Sequence, residues 1–257
     1  MTPAFRFSVL GVLVAIAITT AMDAGGLSAF SSLPLLPLVA LFWYLGRFSR
    51  IEVGFAWGRW RHHGLAVVHP LVVLGSAALI AAAAGAVHLA NTDWKKAGLN
   101  LVLVTVSTIL AAIVTEEGFF RGWLWASLRR AGQNEGQTLF WSSIAFSLWH
   151  WSAITLKTGF DVPAAQIPVF MINAAVLGAI WGMLRSISDS VVVASVSHGL
   201  WNGGAYVLFG YGTKVGALGV TQTSIFGPEV GFIGLLLNLA LAFALWRWWK
   251  AHTTMAG

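Results

Sequence analysis

The chain has 257 residues, 58% of them apolar and only 9% charged, with fifteen Lys and Arg against nine Asp and Glu. A soluble domain is roughly 45–50% apolar, so this composition excludes an ordinary soluble fold and points to a polytopic helical membrane protein. There is no cysteine, which excludes disulfides, cysteine-ligated zinc and a thiol nucleophile.

Eight spanning segments are predicted, near 7–22, 27–46, 66–90, 98–128, 137–156, 167–184, 187–209 and 229–248. The expected fold class is therefore all-α: one transmembrane domain, 1–257, of about eight helices around a polar intramembrane cavity. The first segment is short, follows Arg6 and resembles a signal-peptide core. Reading it as an uncleaved first helix closes the topology. Several tryptophans, including Trp43, Trp94, Trp123, Trp246, Trp248 and Trp249, fall near segment ends, as interfacial belts do. The run 98–128 is too long for a perpendicular span of about 20 residues, so it extends past the bilayer on the cytoplasmic side or bends near Gly118 or Gly122. No internal repeat or low-complexity segment is visible.

The loop charges orient the chain. With the N-terminus in the cytoplasm, the inside segments carry Arg6, Arg47, Arg50, Arg59, Arg61, Arg129, Arg130, Arg185, Arg247 and Lys250, against Lys95, Lys96, Lys157 and Lys214 outside. The excess of basic residues inside predicts cytoplasmic termini. The expected location is the bacterial plasma (inner) membrane. The basic residues are scattered between apolar runs, which argues against a nucleic-acid partner.

Three charged residues, Glu116, Glu117 and Arg121, interrupt the most apolar part of the chain. Charges at a helix centre cost roughly 2.5–3.5 kcal/mol each on insertion scales, so they must pair or work. Glu117 and Arg121 are spaced i, i+4 and can form an ion pair on one face, which a purely structural role explains equally well. Glu116 is rotated about 100° from Glu117 and has no partner nearby in sequence, which favours a functional role. Phe146 and His150 share an i, i+4 face, as do His198 and Asn202. From the rise of about 1.5 Å per residue, His150 lies roughly 20 Å and His198 roughly 17 Å from the inner ends of their segments, so these groups can meet Glu116 in the bilayer interior.

One glutamate, two imidazoles and an amide in a wet cavity make a hydrolytic site. The carboxylate takes a proton from water, a histidine orients the water or protonates the leaving nitrogen, and the amide stabilises an oxyanion. Glu116, His150 and His198 also match a two-His, one-carboxylate zinc site; direct base catalysis by Glu116 without metal is the preferred alternative. No cofactor is otherwise implied. HEXXH is absent, and Ser195 and Ser197 beside His198 support no triad. His69 and His88 read as interhelical hydrogen-bonding residues, Asn202 alone as interhelical glue, and Phe146 as packing. A proton-coupled transporter with a Glu116–His relay is a competing reading; it predicts repeat symmetry and broken helices, for which Gly203-Gly204 is the one cue.

The ordered patterns EExxxR (Glu116, Glu117, Arg121), FxxxH (Phe146, His150) and HxxxN (His198, Asn202), each on its own segment, resemble the CAAX-protease and bacteriocin-processing (CPBP, or Abi) family of intramembrane endopeptidases. The resemblance covers about residues 98–205, the catalytic core. It implies eight helices around a conical cavity open to the cytosol. It implies Glu116 activating water, His150 assisting, His198 and Asn202 forming the oxyanion site, and Glu117 and Arg121 in support. The implied substrate is a membrane-associated protein or peptide: a prenylated CAAX tail, a bacteriocin-type peptide or a sorting substrate. A non-catalytic immunity or interaction protein of the same fold is the remaining alternative.

Overall fold

A computed structural model describes residues 2–90 and 92–253. It is mostly helical. The α-helices in chain order are α1 (Pro3–Ala24), α2 (Leu35–Gly46), α3 (Trp60–Ala83), α4 (Trp94–Val114), α5 (Trp125–Arg130), α6 (Glu135–Trp149), α7 (Trp151–Thr155), α8 (Ile167–Ser188), α9 (Val191–Gly204), α10 (Thr223–Phe226) and α11 (Phe232–Thr253). Wider π turns occupy Gly118–Leu124 and Ala205–Phe209, and a short hairpin pairs β1 (Gly210–Tyr211) with β2 (Lys214–Val215). Helix starts follow side-chain capping. Asp93 Oδ1 accepts from Lys96 N, Asn134 and Gln137 form a reciprocal capping box, and Ser190 Oγ accepts from Val193 N.

Among the described residues, six helical stretches are long and apolar enough to cross a membrane: Pro3–Ala24, Ser28–Gly46, Trp60–Ala83, Trp94–Arg130, Ala164–Ser188 and Phe232–Ala251. The expected spans at 137–156 and 187–209 are helical but broken, the first at His150 and the second after Gly204. Both breaks fall beside residues of the polar constellation.

The helices alternate in direction, so the connectors gather at two ends. At one end, Arg130 binds the Glu52 carboxylate at 2.6 Å, and Arg185 reaches the Glu52 carbonyl at 3.0 Å and Asp189 at 3.5 Å. The Arg130 guanidinium and the Ser49 amide hold the Glu52 carboxyl down at about 2. At the other end, Ser28 Oγ donates to the Thr158 carbonyl at 3.0 Å, Phe160 stacks on Tyr211, and Thr92 Oγ1 donates to the Ala217 carbonyl.

Helices α4 and α9 approach at backbone distance because two glycines one turn apart face α4. A Cβ on Gly199 would sit 2.8 Å from both Ile109 N and the Thr105 carbonyl oxygen, and one on Gly203 would sit 2.0 Å from Thr105 Oγ1. Small residues four apart let membrane helices touch this closely. A polar chain ties four other contacts together. His69 bonds Ser197 at 3.0 Å and Asn238 at 3.3 Å; Asn238 Nδ2 donates to Asn173 Oδ1 at 2.9 Å; Asn173 Nδ2 donates to the Pro228 carbonyl at 2.8 Å. The interhelical role expected of His69 is thus what its contacts show.

Gly199→Ala is expected to lower stability by about 1–3 kcal/mol, since the clash is with backbone that a rotamer change cannot relieve. The measurement is the thermal unfolding midpoint in detergent; an unchanged midpoint would contradict the close approach.

Candidate active site

The site is built around the interruption of the long apolar run. The α4 path ends at Thr115, whose φ of −111° and ψ of −100° leave the helical region. Thr115 Oγ1 satisfies the Ala111 carbonyl at 2.8 Å. The chain then re-enters as the π turn Gly118–Leu124. Glycine is required at 118, where a Cβ would lie 2.6 Å from the Ile113 carbonyl oxygen. The bend expected near Gly118 or Gly122 therefore takes the form of a break at Thr115 and a widened turn, a distortion common at functional sites.

This geometry separates the two glutamates. The Glu117 side chain is fully buried and that of Glu116 is 19% exposed. Glu117 Oε1 accepts from Arg121 Nη1 at 3.1 Å and from His198 Nδ1 at 3.0 Å. Arg121 also donates from Nη2 to the Gly178 carbonyl at 3.0 Å, and its guanidinium lies 4.3 Å from the centre of the Phe146 ring. Gly178 permits this: a Cβ there would press on Arg121 Nη2 and the Ser143 backbone. Arg185 Nε caps the assembly by donating to the Arg121 carbonyl at 3.1 Å.

His198 lies between the two carboxylates. Its Nε2 is 3.8 Å from Glu116 Oε2, too long for a hydrogen bond and close enough for charge attraction. Its ring stacks on Trp181 at 4.0 Å and 11°, which fixes the imidazole plane. His150 sits at the junction of α6 and α7. Its Nδ1 lies 2.9 Å from the Phe146 carbonyl, which can only accept, so Nδ1 carries the proton and Nε2 is left for other contacts. Phe146 packs against His150, Phe120, Trp181 and Arg121 at once.

Glu116, His150, His198, Asn202 and Phe146 line one cavity of about 410 Å³. Glu117 and Arg121 lie behind it and hold His198. Sequence reasoning missed several residues of the lining, among them Glu229, Asn173 and Tyr206. Glu229, before α11, accepts from Trp201 Nε1 at 3.0 Å; Asn173 pins the Glu229 carbonyl at 3.1 Å; Tyr206 follows on the π turn after α9. A lone acid at the start of the last apolar run was the available signal for Glu229.

The cavity is also lined by Ser28, Thr158, Gly159, Tyr211 and Lys214 of the connectors, of which Gly159 and Lys214 are exposed. These connectors lie at the end opposite the Glu52–Arg130 and Arg185–Asp189 pairs. Among the described residues, no group of three or more His, Cys, Asp or Glu is arranged to hold a metal ion.

Residues 97–204 match the family described as type II CAAX prenyl endopeptidase Rce1-like, in accord with the CPBP resemblance. That is a protease family, and among the described residues six helices are long and apolar enough to cross a membrane. No curated protein and no solved structure matches the chain.

Arg121→Ala is expected to cost about 3–5 kcal/mol, because it leaves the Glu117 carboxylate buried without its countercharge. The amount of monodisperse protein recovered in detergent should fall sharply. Recovery and melting equal to the parent chain would show that the pair is dispensable.

Proposed function

Starting from an Rce1-like core of the CPBP type, we propose that the protein is an intramembrane endopeptidase in which Glu116 activates water. The observation that carries this reading is the division of labour between adjacent carboxylates. Glu117 is hydrogen-bonded to Arg121 and orients His198, while Glu116, 3.8 Å from His198 Nε2 and too far for a hydrogen bond, faces the cavity. In this reading the chain makes eight helical passes, counting α6–α7 and α9 with its π turn, and residues 98–205 form the catalytic core.

In the proposed reaction, Glu116 removes a proton from a water molecule and the water oxygen bonds to the scissile carbonyl carbon. The carbonyl electrons move to oxygen, where His198 Nε2–H and the Asn202 side-chain amide donate to the oxyanion. His198 supplies that donor with both ring nitrogens protonated, Nδ1–H being held by Glu117. The charges then balance in a low-dielectric site, with Glu117 against Arg121 and Glu116 against His198. The His150 Nε2 lone pair accepts from the water and fixes its line of attack. As the tetrahedral species collapses, the C–N bond breaks and the proton on Glu116 passes to the leaving nitrogen. The chain needs no external oxidant or cofactor for these steps.

The substrate in this reading is a membrane-associated protein or peptide. The cavity holds a short extended segment, and the aromatic rings of Phe160, Phe170, Tyr206 and Tyr211 around it offer apolar side-chain contacts.

Glu116→Gln, His150→Ala and His198→Ala are expected to abolish hydrolysis of a membrane peptide substrate while the variants still purify folded. Asn202→Ala should keep weak activity, about 10²–10³ lower. Full activity in folded Glu116→Gln would end this mechanism. Prolonged 1,10-phenanthroline treatment should leave activity unchanged. Loss on chelation with recovery on adding zinc, together with stoichiometric zinc by elemental analysis, would instead put a metal at the same residues.

A further inference from the structure

We propose that the cavity faces away from the cytoplasm, so that the bond it receives lies at the extracytoplasmic surface. The orientation stands on charge and geometry alone; the substrate class rests on the endopeptidase reading above.

The first observation is the sorting of charge between the two ends. The end holding the Glu52–Arg130 and Arg185–Asp189 pairs carries ten Lys and Arg and only three acids, Glu52, Glu135 and Asp189. Ser8 Oγ bonds Ser127 Oγ at 2.7 Å, which places the start of α1, and with it Arg6, at this end too. The opposite end carries four lysines and four acids, Asp23, Asp93, Asp161 and Glu229. Short connectors rich in Lys and Arg stay in the cytoplasm. Most of the connectors concerned are short: Arg47–Arg59 joins α2 to α3, Ala131–Asn134 joins α5 to α6, and Asp189–Ser190 joins α8 to α9.

The second observation is where the cavity opens. Its lining reaches solvent at Gly159 and Lys214, which are exposed, beside the half-buried Ser28, Thr158 and Tyr211, all on connectors of the weakly basic end. Lys214 Nζ donates to Tyr211 Oη at 2.7 Å across the hairpin at that rim.

The third observation is that the other end is shut. Below Glu116 lie Glu117 and Arg121, both fully buried, and Arg185 donates to the Arg121 carbonyl. Arg185 is itself 4% exposed. Phe119, Phe120, Trp123 and Leu124 fill the remaining space around the π turn. A polypeptide arriving from the arginine-rich side meets this plug, whereas one arriving from the hairpin side meets Glu116 directly.

The two directions exclude different substrates. A prenylated tail of a cytosolic protein would have to enter through the plug. A polypeptide anchored in or delivered to the outer leaflet, with its scissile bond on the extracytoplasmic side, reaches the open rim. The geometry points to the second class.

The absence of native cysteine makes the test direct. Single substitutions Leu27→Cys and Thr213→Cys report the rim end, and Ile51→Cys, 84% exposed, reports the arginine-rich end. In spheroplasts expressing the full chain, a membrane-impermeant maleimide should label Leu27→Cys and Thr213→Cys at once, and Ile51→Cys only after permeabilisation. The reverse pattern overturns the proposal whatever the activity of the protein. In a second arm, a charged, quenched fluorescent peptide library is added to sealed vesicles. Right-side-out vesicles should hydrolyse it and inside-out vesicles should not, and Glu116→Gln should abolish the signal. Hydrolysis confined to inside-out vesicles overturns the proposal. The expected labelling combined with no hydrolysis in either vesicle or in detergent leaves the orientation standing, but overturns the substrate class together with the endopeptidase reading.

Discussion

The ion pair between Glu117 and Arg121 is enclosed on every side, and the rest of the site is arranged about it. Neither charge could be left there singly, because an uncompensated ion in this medium costs several kcal/mol. The pair alone would still be expensive, so each partner is given further contacts. Arg121 takes the Gly178 carbonyl and the Phe146 face, and Glu117 takes His198 Nδ1. Those contacts draw α6, α8 and α9 onto one turn of the chain. The same pair frees Glu116, whose neighbour has absorbed the local cation.

Position is the second requirement, and glycine supplies it. Gly199 and Gly203 set the distance from α9 to α4, and Gly118 lets the chain double back against the Ile113 carbonyl. His198 lies on α9, and Glu116 follows just past the end of α4. Their 3.8 Å separation is therefore set by backbone contact rather than by flexible side chains. Trp181 then fixes the plane of the His198 ring.

Much of this was legible in the sequence, for identifiable reasons. The i, i+4 spacing of Glu117 and Arg121 places both on one face, and burial makes their pairing obligatory, so that contact could be read directly. The grouping of Glu116, His150, His198 and Asn202 followed from depth along the segments. The π turn was not legible, because an unbroken apolar run carries no mark of a change from α to π winding. Glu229 and Asn173 escaped notice because one lies in a connector and the other works through backbone carbonyls, which leave no pattern. The direction of the cavity was hidden for another reason. Loop charges locate connectors but say nothing about where side chains leave a space between them.

The long apolar stretch Trp94–Arg130 changes character along its length. In its first half Leu99, Val102, Leu103, Val106 and Leu110 lie outward and only Ala112 of α4 is buried, whereas every residue from Gly118 to Leu128 is enclosed. The stretch begins as outer wall and ends as central pillar, and the two glutamates stand at the changeover. Sequence tolerance should follow the same boundary. Ahead of it, one apolar side chain can replace another wherever the surface is all it meets. Beyond it, each side chain has neighbours all around and little freedom of size or shape.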